Sequence, residues 1–235
     1  MLTQSHSLAA MTDLVRESGC QRRLKRHDHI VRRGERPQSV LLLQEGWAAR
    51  YSQMPNGRRH ISQFYLPGDL CDLGWLVSAE AGQAVVALTP IKALAIDRSV
   101  IEQRLGTDAG FAHCVAVDCL LRLEAQAAWM VTLGRRSASE RLAQLLCELY
   151  LRIERTGRTA NRECAFPLSQ QNLADFTGMS AVHVCRTLRS MKDVKLLDLQ
   201  RRKLSIPDFS QLASSCAYNG AYLDNERQPL AACGS

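Results

Sequence analysis

Residues 168–188 read LSQQNLADFTGMSAVHVCRTL, a pattern that predicts two short helices joined by a tight turn. Ser169 and Ser180 each stand just before a helical run, where a serine hydroxyl can accept a hydrogen bond from an otherwise unpaired backbone N–H. Gly178 lies between the two runs, where a turn this short needs a positive φ angle. The sequence therefore predicts a helix-turn-helix.

The spacing of small and apolar residues predicts which face of each helix is buried. Ala174 is small enough to let the two helices cross closely, and Val184 and Leu188 are spaced to point inward from the second helix. The opposite face of the second helix is expected to enter a DNA major groove, which is wide enough to admit a helix. The side chains expected to read bases are Ala181, Val182, His183, Cys185 and Arg186.

A two-stranded wing is predicted after the second helix. Residues 196–200 and 203–206 are short β-like segments, and cations stand near the turn between them. Cations at such a tip usually meet phosphate, which sets affinity more than sequence preference. The residues expected to hold phosphates are Gln170, Gln171, Ser180, Arg189, Arg201, Arg202 and Lys203.

The distribution of charge favours double-stranded DNA as the partner. The 235-residue chain has a formal net charge of +7 and a sequence pI near 9.1. Residues 180–206 hold seven Lys or Arg against two acidic residues, and so do residues 21–36. Because one of these basic segments coincides with the helix-turn-helix, DNA binding is preferred over the alternative, a packed helical hairpin whose basic face is merely solvated.

Short strands and turns are predicted for the N-terminal part of the chain. Asn56 and Gly57 separate two alternating runs, which is a strong signal for a β-hairpin. Further turns are indicated at Gly34, Gly68 and Gly82. Many short strands with regular turns are typical of a sandwich, roll or barrel.

A long helix is predicted from residue 108 onward. Residues 108–133 contain no proline and only Gly110, and they are apolar nearly all round a helix, which therefore must be buried on more than one side. We expect one side to pack on its own domains and the other on a second copy of the chain; the alternative is a helix buried within one domain. The expected dimer face is Phe111, Cys114, Val117, Leu121, Ala125 and Ala128. Gly134 breaks the pattern as a hinge, and Ser137 with Glu140 predicts a capping box that opens the next helix.

The expected fold is α+β with three parts and a tail. Residues 1–107 are predicted to form a β-roll sensor domain with an N-terminal helix, and residues 108–136 a dimerisation helix and hinge. Residues 137–210 are expected to form the winged helix-turn-helix domain, and residues 211–235 an irregular tail. Since no apolar run approaches the roughly 18 residues that span a bilayer, and no secretory signal is evident, we expect no membrane partner and a cytoplasmic protein.

The order of parts resembles the family of the cyclic-AMP receptor protein and the anaerobic regulator FNR over roughly residues 20–210. The motifs that carry the resemblance are Gly34-Glu35, Glu45-Gly46-Trp47, Asn56-Gly57-Arg58, Pro67-Gly68-Asp69-Leu70, Gln171 to Asp175, and Arg186-Thr187-Leu188. The resemblance implies a β-roll sensor and a transcription regulator, either activator or repressor. It also implies a homodimer that reads a near-palindromic operator, one half-site per subunit, with RNA polymerase as a further partner.

Departures from the family pattern concern the signal. Members that bind cyclic nucleotides carry an Arg-Ser pair at the phosphate cassette, whereas residues 81–84 read AGQA here. An uncompensated phosphate in a pocket is costly, so we do not expect cyclic AMP. Iron–sulfur members need several closely spaced N-terminal cysteines, and only Cys20 lies there, so we expect no cluster. No cofactor is expected, and the effector is open.

In the second helix of the motif, Arg186 matches the family, and the resemblance implies that it reads a guanine through O6 and N7. Ala181 and Val182 stand where the family often has Arg-Glu, so we expect a different half-site. His183 is expected either to donate to a base or phosphate or to pack at the domain edge. Before the wing, Lys195 replaces a common glycine.

Competing functions have weaker support. The His27-Asp28-His29 triplet is similar to the metal-binding pair of cupin-type enzymes, but Glu35 is too far along the chain and His60 follows a hairpin turn, so we expect no metal. With no GxSxG, P-loop or GxGxxG pattern, we expect no catalytic residue and no enzyme. The remaining alternatives are a β-roll sensor or interaction module, or a cupin-like metal enzyme, without DNA activity.

The nine cysteines are scattered and form no CxxC pair, so most are expected to be small buried hydrophobes. Cys185 is a candidate redox switch, because Arg186 and Arg189 beside it on the DNA-facing side could stabilise a thiolate. The hypothesis is that oxidation of Cys185 blocks DNA binding. The alternative is a plain small residue that fits the groove.

Overall fold

The structure, a computed structural model, describes residues 13–14, 19–71, 74 and 80–220. Within these ranges the chain forms an N-terminal β-domain, a long helix and a C-terminal domain of helices and short strands, which is the expected α+β architecture. The predicted N-terminal helix lies outside the described residues except for Asp13 and Leu14, which are helical.

Two antiparallel sheets make up the β-domain. The described strands are β1 Cys20–Leu24, β2 His29–Val31, β3 Ser39–Glu45, β4 Ala48–Gln53, β5 Arg59–Tyr65, β6 Leu70–Cys71, β7 Ala84–Ala87 and β8 Ile91–Asp97. The strand orders are β1-β8-β3-β6 and β2-β7-β4-β5. Leu43, Tyr65 and Ile91 are buried in the core of the domain. The predicted β-roll is confirmed as a two-layer β-domain.

Two glycines hold tight turns of this domain. Gly57 has a φ of +78° in the β4–β5 hairpin, as the Asn-Gly signal predicts. Gly46 has a φ of +91°, and a Cβ there would lie 2.2 Å from the carbonyl oxygen of Pro90. The connection between β3 and β4 therefore depends on a residue without a side chain.

The rest of the described chain is mainly helical. The helices are α1 Arg98–Thr107, α2 Ala109–Arg135, α3 Ala138–Arg155, α4 Gln170–Thr177, α5 Ala181–Asp193 and α6 Phe209–Ser215. The short strands are β9 Thr159–Ala160, β10 Glu163–Ala165, β11 Asp198–Gln200 and β12 Lys203–Ser205, and they form one sheet of order β11-β12-β10-β9. The predicted wing is the β11–β12 pair.

The long helix α2 begins and ends close to the predicted positions. The Asp108 side chain accepts a hydrogen bond from the backbone N–H of Phe111 (2.9 Å) and so caps the helix. At the other end the helix includes Gly134 and stops at Arg135, so the break lies one to two residues after the predicted hinge. The capping box between Ser137 and Glu140 is present and starts α3.

The C-terminal domain contains two features that the sequence pattern did not predict. The chain after residue 208 is not irregular from the start, because Asp208 caps α6, which runs to Ser215 and packs on α3. The polar loop after α3 contains the β9–β10 hairpin, whose turn residues Asn161 and Arg162 both have positive φ. Residues 221–235 of the predicted tail lie outside the described residues.

One residue of the predicted dimer face of α2, Phe111, is buried within its own chain, and the rest of that face stays a prediction. Phe111 is only 4% exposed and packs with Leu42, Ile96 and Ile101 of its own chain. The other members of the face are half-buried, except Val117: these are Cys114, Leu121, Ala125 and Ala128. The exposed apolar side chains of α2 are Val117, Leu120, Leu123, Met130 and Val131. Because the helix is apolar nearly all round, its sequence did not distinguish the side that packs on the β-domain from the side that is left exposed.

One continuous apolar core joins the β-domain to the C-terminal domain. The rings of Phe64 on β5 and Phe176 on α4 stack with centroids 5.1 Å apart. Trp129 of α2 meets Phe176 edge-on at 4.7 Å, and Trp47 meets Phe166 at 6.0 Å. The first helix of the helix-turn-helix is therefore packed against both the β-domain and α2. In the described part of the chain, no helix is long and apolar enough to cross a membrane.

Candidate nucleic-acid interface

Local hydrogen bonds fix the helix-turn-helix as the sequence predicts. Ser169 and Asn172 form a reciprocal capping box at the start of α4. Gly178 ends α4 with a φ of +72°, and the N–H of Met179 donates to the carbonyl of Ala174 (3.1 Å) to close the turn. Ser180 then caps α5 by accepting from the N–H of His183 (3.2 Å). These bonds set the angle at which α5 leaves the turn.

The buried side of α5 determines which side is presented to solvent. Val184, Thr187, Leu188 and Met191 are buried against α3 and α4. Val182 is 70% exposed, and His183 and Arg186 are exposed as well. Ala181 and Cys185, also predicted to read bases, are only half-buried, and Ala181 packs against the core.

The residues predicted to hold phosphates are all exposed, and they lie at three places in the domain. Gln170 and Gln171 are in the first turn of α4, Ser180 and Arg189 are at the cap and on the outer side of α5, and Arg201, Arg202 and Lys203 are at the wing. Arg201 and Arg202 form the wing turn, with φ of +48° and +61°. The described carboxylates form no ion pair with Arg186, Arg189 or the wing cations, whereas Lys192 pairs with Asp198 (3.0 Å). The cations of the predicted interface are thus available to a phosphate or base.

Arg141 positions the turn between α4 and α5, a role that the sequence pattern did not predict. Its Nη1 donates to the carbonyl of Thr177 (3.1 Å) and its Nε to the carbonyl of Arg136 (3.1 Å). The guanidinium therefore links the end of α4 to the segment between α2 and α3. No local sequence signal indicates this role, because the groups that it joins are backbone carbonyls 41 residues apart at positions 136 and 177.

An ion pair attaches the helix-turn-helix to the β-domain. Both Nε and Nη2 of Arg59, on β5, lie 2.7 Å from Oδ2 of Asp175 on α4. The Asp175 side chain is 9% exposed, and its Oδ1 accepts from Nε2 of Gln171 (2.6 Å). Gln171, which is predicted to contact phosphate, is thereby connected through Asp175 to the β-domain.

A second polar connection runs from the β-domain to α2 and α3. Arg152 of α3 pairs with Asp69 and also donates to the carbonyl of Phe64 (3.2 Å). Glu148, one turn earlier on α3, accepts from Nε1 of Trp129 (2.8 Å). Asp69 belongs to the Pro67-Gly68-Asp69 motif, so this motif has a structural task at the domain junction in addition to its turn.

The positions of the competing sites are also defined. Nε2 of His29 lies 3.0 Å from the hydroxyl of Tyr51. Among the described residues, no group of three His, Cys, Asp or Glu side chains could hold a metal ion. At the position of the phosphate cassette, the Gln83 side chain donates to Oγ of Ser52 (2.7 Å) and accepts from Oγ of Ser62 (3.1 Å).

Comparison with known proteins gives two matching family models. The model described as "Cyclic nucleotide-binding domain" matches residues 21–108, and the one described as "Crp-like helix-turn-helix domain" matches residues 140–215. The first therefore covers the β-domain and α1, and the second runs from the start of α3 to the end of α6. The two models together span most of the described chain.

Similar proteins are regulators of transcription or nitrogen fixation. The nitrogen fixation regulation protein FixK of Azorhizobium caulinodans is 29% identical over 160 residues, which are 68% of this chain and 64% of that protein. This chain thus matches just under two thirds of that relative's length. The transcriptional activator protein FnrL of Cereibacter sphaeroides is 25% identical over 187 residues, 78% of this chain and 75% of that protein.

The same order of domains occurs in solved structures. The structure of FixK2 from Bradyrhizobium japonicum matches with a TM-score of 0.75 and 23% identity, and the match covers 83% of this chain and 96% of that one. This likeness concerns the fold. With a β-domain that fits one model, a helix-turn-helix that fits the other and relatives of the same type, the chain belongs to the CRP/FNR family of transcription regulators.

Proposed function

We propose that this protein is a sequence-specific DNA-binding regulator that acts as a homodimer on a near-palindromic operator. The observation that carries the proposal is the exposed outer side of α5, where Arg186 and Arg189 have no described carboxylate partner. A helix held by caps at its start and buried on its inner side presents these cations in fixed positions. Such a surface suits the base edges and phosphates of a major groove.

The residues divide into two roles in the proposed complex. Arg186 would donate two hydrogen bonds to O6 and N7 of a guanine, and Val182 would contact a thymine methyl. Arg189 and the wing residues Arg201 and Arg202 would neutralise phosphates, which supplies affinity and makes it depend on salt. Ala181 is half-buried, which leaves it less surface for a base than Val182 has.

The exposed side of α2 supports the proposed dimer. Leu120, Leu123, Ala127 and Met130 follow one another at spacings of three, four and three residues, which is the seam of a two-stranded coiled coil. Leu120 is 61% exposed and Met130 is 71% exposed within the single chain. A second copy of α2 that lies against this seam would bury these side chains and place two DNA-binding domains side by side.

The proposed regulator works in the cytoplasm without cyclic AMP or an iron–sulfur cluster. Gln83 stands where a cyclic nucleotide would need a cation, and its amide is already bonded to Ser52 and Ser62. RNA polymerase is the proposed partner at the promoter, since relatives of this chain carry the name of transcriptional activators.

Oxidation of Cys185 is proposed to weaken DNA binding. A Cys185→Ser variant whose DNA affinity falls after peroxide treatment as much as that of the wild type would contradict this.

The experiment that tests the function is selection of binding sites from a random double-stranded DNA library by the purified protein at a stated salt concentration. We expect a two-fold symmetric motif with half-sites about one helical turn apart. Arg33→Ala, an exposed arginine on the β-domain, is the matched control and should select the same motif. Uniform, steeply salt-dependent binding without a motif would contradict the proposal and favour a sensor or interaction module with a basic surface.

A further inference from the structure

Two buried thiols meet where the last described helix packs on the first helix of the C-terminal domain. Cys147 lies on α3 and is 0% exposed, and Cys216 follows α6 and is 1% exposed. Both belong to the same apolar core, in which α6 packs on α3, and the Cys216 thiol donates to the carbonyls of Leu212 (3.6 Å) and Ala213 (3.5 Å). The two thiols lie close enough to shift each other's pKa, although 69 positions separate them in the sequence.

The segment that carries Cys216 is attached to the junction between α2 and α3. Arg136, the first residue after α2, donates through Nη1 to the carbonyl of Cys216 and through Nη2 to that of Ala217 (3.3 Å). The same Nη1 lies 3.2 Å from Oε1 of Gln144, one turn before Cys147 on α3. The thiol pair thus lies beside the guanidinium that ties the end of α6 to the proposed dimer helix.

The surroundings distinguish the two thiols from each other. The neighbouring Cys147 thiol and the positive charge of Arg136 lower the pKa of Cys216, while the neighbouring Cys216 thiol and burial raise the pKa of Cys147. Of the two, Cys216 therefore has the lower pKa, and it is the thiol that we take as the attacking group. Cys164 is a useful contrast in the same domain, because burial alone raises its pKa to about 11.

We propose that Cys147 and Cys216 are a reversible dithiol–disulfide pair, oxidised by a small hydroperoxide, that links α6 to α3. This site is separate from the DNA-contacting surface and does not depend on the role proposed for Cys185. The first step forms a bond between the Cys216 sulfur and one peroxide oxygen; the O–O bond breaks, and an alcohol or water leaves. The Cys147 sulfur then attacks the resulting sulfenic acid, the S–S bond forms, the S–O bond breaks, and water leaves with the Cys147 proton.

Because both thiols are buried, only a small oxidant is expected to reach them. The disulfide that forms would stabilise the fold. Ser215 and Ala217, on either side of Cys216, are exposed, so the buried sulfur lies near the surface at the end of α6, and we expect local opening there to admit hydrogen peroxide. A bulky disulfide reagent does not have this access to the folded protein. The bond would close a loop that contains α4, α5 and the wing, and such a cross-link restricts the unfolded chain and stabilises the fold.

The test is peptide mapping of the wild-type protein after treatment with hydrogen peroxide and alkylation of the remaining thiols in denaturant. We expect one disulfide-linked pair of peptides that contains residues 147 and 216, a loss of these two thiols, and recovery of both after reduction. The oxidised protein should also unfold at a higher temperature than the reduced protein. This readout is covalent, so it is independent of whether the protein selects a DNA sequence.

Two variants and two contrary results make the test decisive. Cys147→Ala should abolish the linked peptides, whereas Cys164→Ala, the matched buried cysteine, should leave them unchanged. If both thiols stay free in the treated wild type, the proposal is wrong. It is equally wrong if Cys216 proceeds to a sulfinic acid without pairing, because a resolving thiol in contact should intercept the sulfenic acid first.

Discussion

Gly46 leaves no room for a side chain at the connection between β3 and β4. A Cβ would lie 2.2 Å from the Pro90 carbonyl oxygen and 3.0 Å from Cα of Ile91, and both are backbone atoms that cannot rotate away. Gly34 has a similar positive φ of +82°, but its Cβ would meet nothing within 4 Å. The two positions separate steric collision from the strain of a left-handed backbone.

We expect Gly46→Ala to lower the free energy of unfolding by about 3 kcal/mol, since backbone must move to relieve the contact. Gly34→Ala, the control, should cost about 1 kcal/mol through its backbone conformation alone. Urea denaturation followed by circular dichroism measures both. Equal losses for the two variants would show that the contact with Pro90 relaxes without cost.

At the proposed DNA interface, substitutions on α5 should change base preference as well as DNA affinity, whereas substitutions at the wing should lower DNA affinity alone. Arg186→Ala should weaken binding to the selected site by about 1–3 kcal/mol and relax the preference at one base pair. Arg201→Ala should weaken binding to all sequences alike and reduce the salt slope by about one. Fluorescence anisotropy with matched and single-mismatch duplexes at several salt concentrations distinguishes the two effects. A base preference that survives Arg186→Ala would remove this residue from the reading of sequence.

At the scale of elements, the helix-turn-helix could be predicted from the sequence because its signals are local. Ser169, Gly178 and Ser180 act within a few residues of their own positions, and each does in the structure what its residue type favours. The β9–β10 hairpin gave no such signal, because its turn residues are Asn161 and Arg162 rather than glycines. Strand β10 is held by pairing with β12, about 40 positions away, which a local pattern does not reveal.

The side of α2 that packs on the β-domain could not be predicted for a different reason. Its length and its start at Asp108 follow from the absence of proline and from a capping side chain. Its buried side is chosen by the β-domain, where Phe111 enters a pocket of Leu42, Ile96 and Ile101. With small or apolar residues on nearly every side, the sequence offered two acceptable faces, and only tertiary packing selects between them.

The seam on the exposed side of α2 leads to a prediction about assembly. Leu120→Glu places a charge in the middle of the proposed dimer contact, and we expect the protein to sediment as a monomer and to lose operator affinity. Gln126→Glu, an exposed position at the margin of the seam, is the control and should remain dimeric. Analytical ultracentrifugation over a range of concentrations gives the result. A Leu120→Glu variant that stays dimeric would place the dimer contact elsewhere.

At the scale of the whole molecule, the two domains are held together by contacts between distant parts of the chain. Arg59 and Asp175 are 116 positions apart, and the Phe64–Phe176 stack joins the same two elements, strand β5 and helix α4. The order of the domains could be predicted from the sequence, since each domain has its own local pattern. Their mutual docking could not, because neither Arg59 nor Phe176 differs in its local pattern from a residue of an independent domain.

Removal of the ion pair should loosen this docking. Asp175→Asn keeps the size of the side chain but removes its charge, and we expect about 1–3 kcal/mol less stability in the contact, because Arg59 loses a largely buried partner. Hydrogen exchange at the backbone amides of α4 and β5 should become faster. Arg58→Ala, the exposed neighbour in the hairpin, should leave these amides unchanged. If Asp175→Asn protects them as the wild type does, the apolar core alone holds the domains.

The Phe176 ring, enclosed by Phe64 and Trp129, also has a consequence for the modular use of this protein. A chimeric regulator joins the sensor domain of one protein to the DNA-binding domain of another at the hinge between them. Here the DNA-binding domain contributes the Phe176 ring to the domain junction, and the β-domain and α2 contribute the Phe64 and Trp129 rings that pack against it. A hybrid joined at residue 136 would leave an unfilled apolar site beside Phe64 and Trp129, or an exposed Phe176 ring on the DNA-binding domain. A working exchange would have to carry Phe64, Trp129 and Phe176 together, as one transplanted unit.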